Sequence, residues 1–84
     1  MLKEKTDHHA FCKSLSEEER MLLDLRDELY DGSWDSMMRD LDDRLKGRPY
    51  IFKLVNRIQD DIRRIKKLRR YEQTYHVNLT EYVD

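Results

Sequence analysis

The sequence predicts an all-α protein: a small three-helix assembly of two short helices and one long overhanging helix, packed as an oligomeric bundle. Three observations predict it. Turn-forming residues are scarce, with glycine only at Gly32 and Gly47 and proline only at Pro49, so the chain has few places to reverse. Between those points apolar residues recur at spacings of three and four, the period of a helix face rather than the alternation of a strand. The 84 residues make one domain at most, too small to enclose a large cleft and still fold with margin. Charged residues form 42% of the chain and apolar residues 38%, a polar balance that would mean disorder if the apolar residues were scattered; their periodicity argues for a fold.

The expected boundaries are a loosely ordered N-terminal arm over 1–15, a helical domain over 16–76 and a C-terminal tail over 77–84. The arm begins MLKEKTDHH and shows no clear period, as befits a frayed terminus. The first predicted helix starts at Ser16, where Ser-Glu-Glu-Glu supplies an N-cap serine and a glutamate three positions on, the reciprocal capping box. Three acids in its first turn also suit the positive end of the helix dipole. It runs to about Tyr30 and closes at Gly32, which can take the left-handed conformation of a helix end.

The second predicted helix opens at Ser33 and aligns Trp34, Met37, Met38, Leu41 and Leu45 as one apolar stripe. Gly47 ends it, and Pro49 suits the first position of the third, where its missing N–H would be unpaired anyway. From Ile51 the stripe continues through Leu54, Val55, Ile58, Ile62, Ile65 and Leu68, with no breaker before about Tyr75. The tail carries Val77, Leu79, Tyr82 and Val83 and is expected to fold back on the bundle, with Asn78 placed to cap a short final turn.

Helical geometry narrows the candidate surfaces. At 100° per residue, Leu22, Leu25 and Leu29 fall together, with Met21 to one side and Leu23 and Tyr30 to the other. The apolar arc of the first helix is therefore wider than an ordinary surface stripe. Leu23 and Tyr30 are expected on an outer flank open to the tail or to a second chain, and Phe52 points away from Ile58 on the third helix. That helix should reach nearly ~40 Å against ~20 Å for the other two, so its C-terminal half should overhang. After Ile65 the buried face continues to Arg69 and Glu72, where the stripe fades, while Arg63, Arg64, Lys66, Lys67 and Arg70 surround the overhang.

The net charge of -1 conceals a polarised layout. Between Ser16 and Leu45 eleven acids face four arginines, whereas from Lys46 to Arg70 ten basic residues face only Asp60 and Asp61. Such asymmetry can mark a basic surface for nucleic acid, or two halves that attract each other. The sequence favours the second: a small non-enzymatic helical protein that works by protein-protein interaction or self-association, as an adaptor, regulator or accessory subunit. Two antiparallel copies would lay the basic overhang of each along the acidic helices of the other. The alternative is a nucleic-acid-binding protein using the basic half of the third helix on phosphates, though no helix-turn-helix pairing or aromatic interleaving accompanies it.

Other chemistries find little support. His8, His9 and Cys12 are metal-ligating residue types, with His8 and Cys12 four apart, but no second cluster completes a site. Glu72 and His76 also lack the second pair that a bundle di-metal centre needs. Neither a metal nor a cofactor is expected. The adjacent acids at 42–43 and 60–61 point about 100° apart on a helix, which does not make an acid/base pair. The single cysteine, Cys12, and the lack of an apolar leader point to a reducing cytoplasm. No stretch is long enough to span a bilayer, and no membrane association is expected.

Overall fold

A computed structural model describes residues 7–47 and 52–83, the side chain of Phe52 excepted. Ser16 caps the helix that follows it as its sequence dictates: its hydroxyl accepts from the Glu19 N–H at 3.2 Å, and the Glu19 carboxylate accepts from the Ser16 N–H at 2.8 Å. This is the first predicted helix, Glu17–Leu29, and it becomes α2, because a shorter helix, α1, precedes it at His8–Lys13. The second and third predicted helices are α3 (Trp34–Gly47) and α4 (Phe52–Tyr75), and a 3-10 helix closes the chain at Leu79–Tyr82. The described residues are thus α-helix, one 3-10 helix and short connections, with no strand among them. Pro49 and Ile51 lie outside them, as do residues 1–6.

Residues 8–13 differ from the loosely ordered arm expected of them. Asp7 caps α1 by accepting from the Ala10 N–H at 3.0 Å, Cys12 and Leu15 are buried, and Phe11 stacks on Tyr71 with ring centroids 3.7 Å apart. The Arg20 guanidinium donates to the carbonyls of Cys12 and Lys13 at the end of α1. Six residues are too few to show a helical period, and the partners that hold them lie elsewhere in the chain.

The helix ends obey local rules. After α2 the backbone turns with positive φ at Asp31 and Gly32 (55° and 77°), and the Gly32 N–H donates back to the Arg26 carbonyl at 3.0 Å. After α4 the left-handed residue is His76 (φ 55°). Here the Val77 N–H reaches the Glu72 carbonyl at 3.2 Å, the six-to-one bond of a Schellman ending made without glycine.

The core runs through Cys12, Leu15, Leu22, Leu23, Trp34, Met37, Leu41, Ile58, Ile65, Leu68 and Leu79. α3 and α4 pack as an antiparallel hairpin, Asp35 at the start of α3 lying 2.8 Å from Arg69 late in α4. α2 runs parallel to α4, since Glu19 meets Lys67 and Arg26 meets Glu72. α1 and the 3-10 helix pack on each other at the same end.

Two expectations are corrected here. The C-terminal half of the long helix does not overhang: Ile65 and Leu68 are fully buried, because α1, α2 and the returning tail cover it. Comparing the lengths of three helices could not include those two additional elements. The less covered half is the other one, where Leu54 is 36% exposed. The molecule extends 55 Å by 22 Å by 21 Å, and the first turns of α4 lie beyond the end covered by α2. The second correction is Leu23, expected on an outer flank but 1% exposed and among the most buried side chains.

Candidate interaction surface

The rotation of α2 about its own axis decides which residues the molecule offers to solvent. The sequence favoured a buried face centred between Leu22, Leu25 and Leu29. The observed buried face is Glu19, Leu22, Leu23 and Arg26, roughly 80° further round at 100° per residue. A charged residue has taken the inner position, and its partners explain how.

Arg26 is 2% exposed and all three guanidinium nitrogens are engaged. Nε donates to Asp27 at 3.0 Å, Nη1 to both Glu72 oxygens at 2.8 and 2.9 Å, and Nη2 to Asn78 Oδ1 and Thr80 Oγ1, each at 2.9 Å. The guanidinium carbon lies 4.5 Å from the centroid of Trp34, a cation–π contact. Glu72 in turn accepts from the Trp34 indole N–H at 2.7 Å and from the Leu79 backbone N–H at 2.8 Å. Thr80 donates to Asp27 at 2.5 Å. A buried charge is tolerable only with such complete pairing, and no buried side-chain polar atom among the described residues lacks a partner. This network ties α2, α3, α4 and the 3-10 helix together.

Turning Arg26 inward turns Met21, Leu25 and Leu29 outward. They are 56%, 37% and 67% exposed, and their spacing of four places them within an 80° arc about 12 Å long. Scattered exposed leucines are ordinary, whereas a contiguous stripe of three on one helix is a patch. One margin of the stripe meets the body of the protein at Leu22. Along the other runs an acidic ridge of Glu17, Asp24 and Glu28, all exposed and without an ion pair among the described residues.

Most of the basic run of α4 is turned onto this chain's own acids. Arg63 pairs with Asp60 at 2.9 Å, Arg64 with Asp61 at 2.8 Å, Lys67 with Glu19 at 2.8 Å and Arg69 with Asp35 at 2.8 Å. The pairs Lys67–Glu19 and Arg69–Asp35 cross between helices, and so the opposite charges of the two halves of the sequence meet within one molecule. Burial works to raise the Glu19 carboxyl, but the Lys67 ammonium and the Ser16 N–H and hydroxyl outweigh it and bring it below the usual glutamate value. Of the basic candidates only Lys66 and Arg70 have no ion pair among the described residues. They line, with Lys67, Arg69 and Gln73, a shallow depression on the outer side of α4.

The remaining candidates are scattered. Tyr30 is half-buried and its hydroxyl donates to Asp40 at 2.5 Å, which, with burial, raises it above the ordinary tyrosine value. The side chain of Phe52 lies outside the described residues. Around α1, His8 shares a hydrogen bond of 2.7 Å with Tyr71 and sits edge-on to Tyr71, Tyr75 and Tyr82; the Cys12 thiol donates to the Leu79 carbonyl. His8, His9 and Cys12 thus serve the docking of α1. No group of three or more metal-ligating side chains occurs among the described residues, and no helix there is long and apolar enough to cross a membrane.

The Arg26–Glu72 centre and the stripe it displaces outward are what reasoning from the sequence missed. A wheel of α2 contains the signal in part: its apolar arc is wider than one neighbour can cover. Which part of the arc is buried depends on Glu72, Asn78 and Thr80, 46, 52 and 54 residues away. Compared with protein-family models, curated proteins and solved structures, the chain matches none.

Proposed function

We propose that this chain is a small helical binding protein that acts by protein-protein association, self-association included, rather than by catalysis. The observation that carries the reading is the Met21–Leu25–Leu29 stripe on α2. Fully covering a leucine or methionine contributes about 1.5–3 kcal/mol. Three side chains that are about half exposed offer on the order of 3 kcal/mol, a useful share of a modest interface before the costs of association are met. The polar residues that could otherwise serve a reaction hold the fold: Glu72 is committed to Arg26, Trp34 and Leu79, Asp27 to Arg26 and Thr80, and Glu19 to Lys67 and Ser16.

Light scattering on the eluting protein over a range of concentrations tests the reading, with Leu29→Glu as the comparison. Leu29 is the most exposed of the three, so the substitution leaves the core untouched. The reading expects a mass above that of one chain for the wild type and a monomer for Leu29→Glu. A wild type that stays monomeric and behaves like the variant contradicts self-association.

Nucleic-acid binding is a second reading, favoured by one observation: Lys66 and Arg70 line the outer side of α4 without acidic partners among the described residues. Two such cations would give a shallow salt dependence, about one unit of slope per neutralised phosphate. A short RNA or duplex that binds at low salt, and is lost on Lys66→Glu with Arg70→Glu, would support it. Binding indifferent to that pair would dismiss it.

A further inference from the structure

The stripe on α2 belongs to a larger face whose two ends are opposite in charge. Glu18 sits in line with the stripe, and at the N-terminal end of α2 it joins Lys53, Asn56, Arg57, Asp60, Asp61 and Arg64 in lining one shallow depression. The outer side of α2 and this side of α4 are therefore one continuous surface. Asp61 and Arg64 neutralise each other within it, and Asp60 is held by Arg63. What remains is a row of exposed acids along α2 (Glu17, Glu18, Asp24, Glu28) that extends toward one end of the face, and two exposed basic side chains at the other end, Lys53 and Arg57, none of the six with an ion pair among the described residues. Each end also carries an apolar component: the α2 stripe beside the acids, and Leu54, 36% exposed and one helical turn from Arg57, beside the bases.

We infer that the occupant of this face is a second copy of the same chain, related by a two-fold axis, with the α2 stripe and acidic ridge of each copy lying over Leu54, Lys53 and Arg57 of the other. The inference rests on the association reading above and names its partner. A face with apolar groups throughout and opposite charges at its ends is self-complementary when turned end over end, and a two-fold axis makes the same contact twice. Turned the other way, the acids would meet acids, which opposes that register. Leu54 is uncovered for the same reason: it continues the line of Ile58 and Ile65 beyond the end of the chain's own α2, so the outer side of a partner's α2 can cover what the inner side of its own does not reach.

Two experiments test this. In the first, wild-type protein labelled with nitrogen-15 is mixed with unlabelled protein and treated with a carbodiimide, which joins carboxylates to amines in contact. Peptide mass spectrometry then identifies links between copies. The inference expects Lys53 of one copy joined to Glu17, Asp24 or Glu28 of the other. In the second, one variant carries Lys53→Glu with Arg57→Glu, and another carries Glu17→Lys, Asp24→Lys and Glu28→Lys. Each alone should self-associate at least about tenfold more weakly, since like charges then meet at both ends. A one-to-one mixture should recover the assembly, because every contact in the mixed pair is again between opposite charges.

All substituted positions are exposed on helices, and retained helicity by circular dichroism confirms that the variants are folded. Should a variant fail to fold, the links in the wild type decide. A wild type that is monomeric at every concentration overturns both this inference and self-association. A wild type that self-associates with Lys53 linked elsewhere, or with no recovery in the mixture of folded variants, overturns this face and leaves the association reading standing.

Discussion

Removing the Glu72 carboxylate is the most informative single perturbation of the fold. Glu72→Ala leaves the Arg26 guanidinium, 2% exposed, without its bidentate partner, and it removes the acceptor of the Trp34 indole and the Leu79 N–H. Breaking a buried ion pair by deleting one member costs about 3–5 kcal/mol, because the other charge stays buried. Each orphaned donor adds about 1–3 kcal/mol where water cannot reach it, although the Glu72 side chain is 12% exposed and water entering there will recover part of that loss. About 4 kcal/mol is the resulting expectation. A domain of 84 residues has only about 4–13 kcal/mol in total, so the variant should lose about a third or more of its stability.

Urea unfolding followed by circular dichroism, at one protein concentration, measures the effect. With a slope of about 1 kcal/mol per molar urea for so small a chain, the midpoint should fall by several molar. Glu81→Ala, an exposed glutamate on the 3-10 helix, should stay within about 0.5 kcal/mol of the wild type. If Glu72→Ala also unfolded within about 1 kcal/mol of the wild type, the Arg26 network would not be what holds α2 and the tail to α4.

Three further outcomes follow from particular contacts. The Glu19 carboxyl lies below its usual value in the folded chain, so the stability it contributes is present above the unfolded value of about 4.3 and is lost as pH falls through the lower folded value. Urea midpoints at neutral and acid pH should therefore diverge more for the wild type than for Glu19→Gln. The Tyr30 hydroxyl is raised above the ordinary tyrosine value, first by its bond to Asp40 and then by burial. Its contribution to stability is full below the unfolded value and declines as pH rises through the folded one, an alkaline sensitivity that Tyr30→Phe should reduce in the same unfolding assay. Leu79 is fully buried although it lies near the end of the chain, and Leu79→Ala should cost about 2–5 kcal/mol by chemical denaturation, whereas Leu25→Ala on the exposed stripe should change stability by less than about 1 kcal/mol.

The parts of the fold legible in the sequence are those decided locally. The Ser16–Glu19 capping box, the positive φ at Gly32 and the apolar stripe from Trp34 through Leu41 each depend on residues a few positions apart, and each occurs where the sequence placed it. What was illegible is decided at a distance. α1 has no period to read in six residues, and Phe11 finds its stacking partner sixty residues later at Tyr71. Nothing near Arg26 marks it as an inward-facing arginine; Glu72, Asn78 and Thr80 do so from the far end of the chain. That one substitution of a charge for a leucine at the inner position rotated α2, placed Leu23 in the core and moved the candidate surface to Met21, Leu25 and Leu29.

Charge followed the same division. The polarity of the two halves of the chain was plain from composition, and the attraction it implied is present in Lys67–Glu19 and Arg69–Asp35. Composition could not say that these contacts close within one molecule, which spends much of the basic run from Arg63 to Arg70 and leaves Lys53 and Arg57, at the opposite end of α4, as the exposed cations beside an uncovered leucine. The surfaces that remain for a partner are those the fold did not use.

If two copies of this chain associate through the outer face of α2, methyl resonances followed through a dilution series will report it. The methyl signals of Met21, Leu25, Leu29 and Leu54 should move with concentration along one binding curve, while those of the buried Leu23 and Leu79 stay fixed. Signals that are all independent of concentration, or that move on the Lys66–Gln73 side of α4 instead, would contradict it.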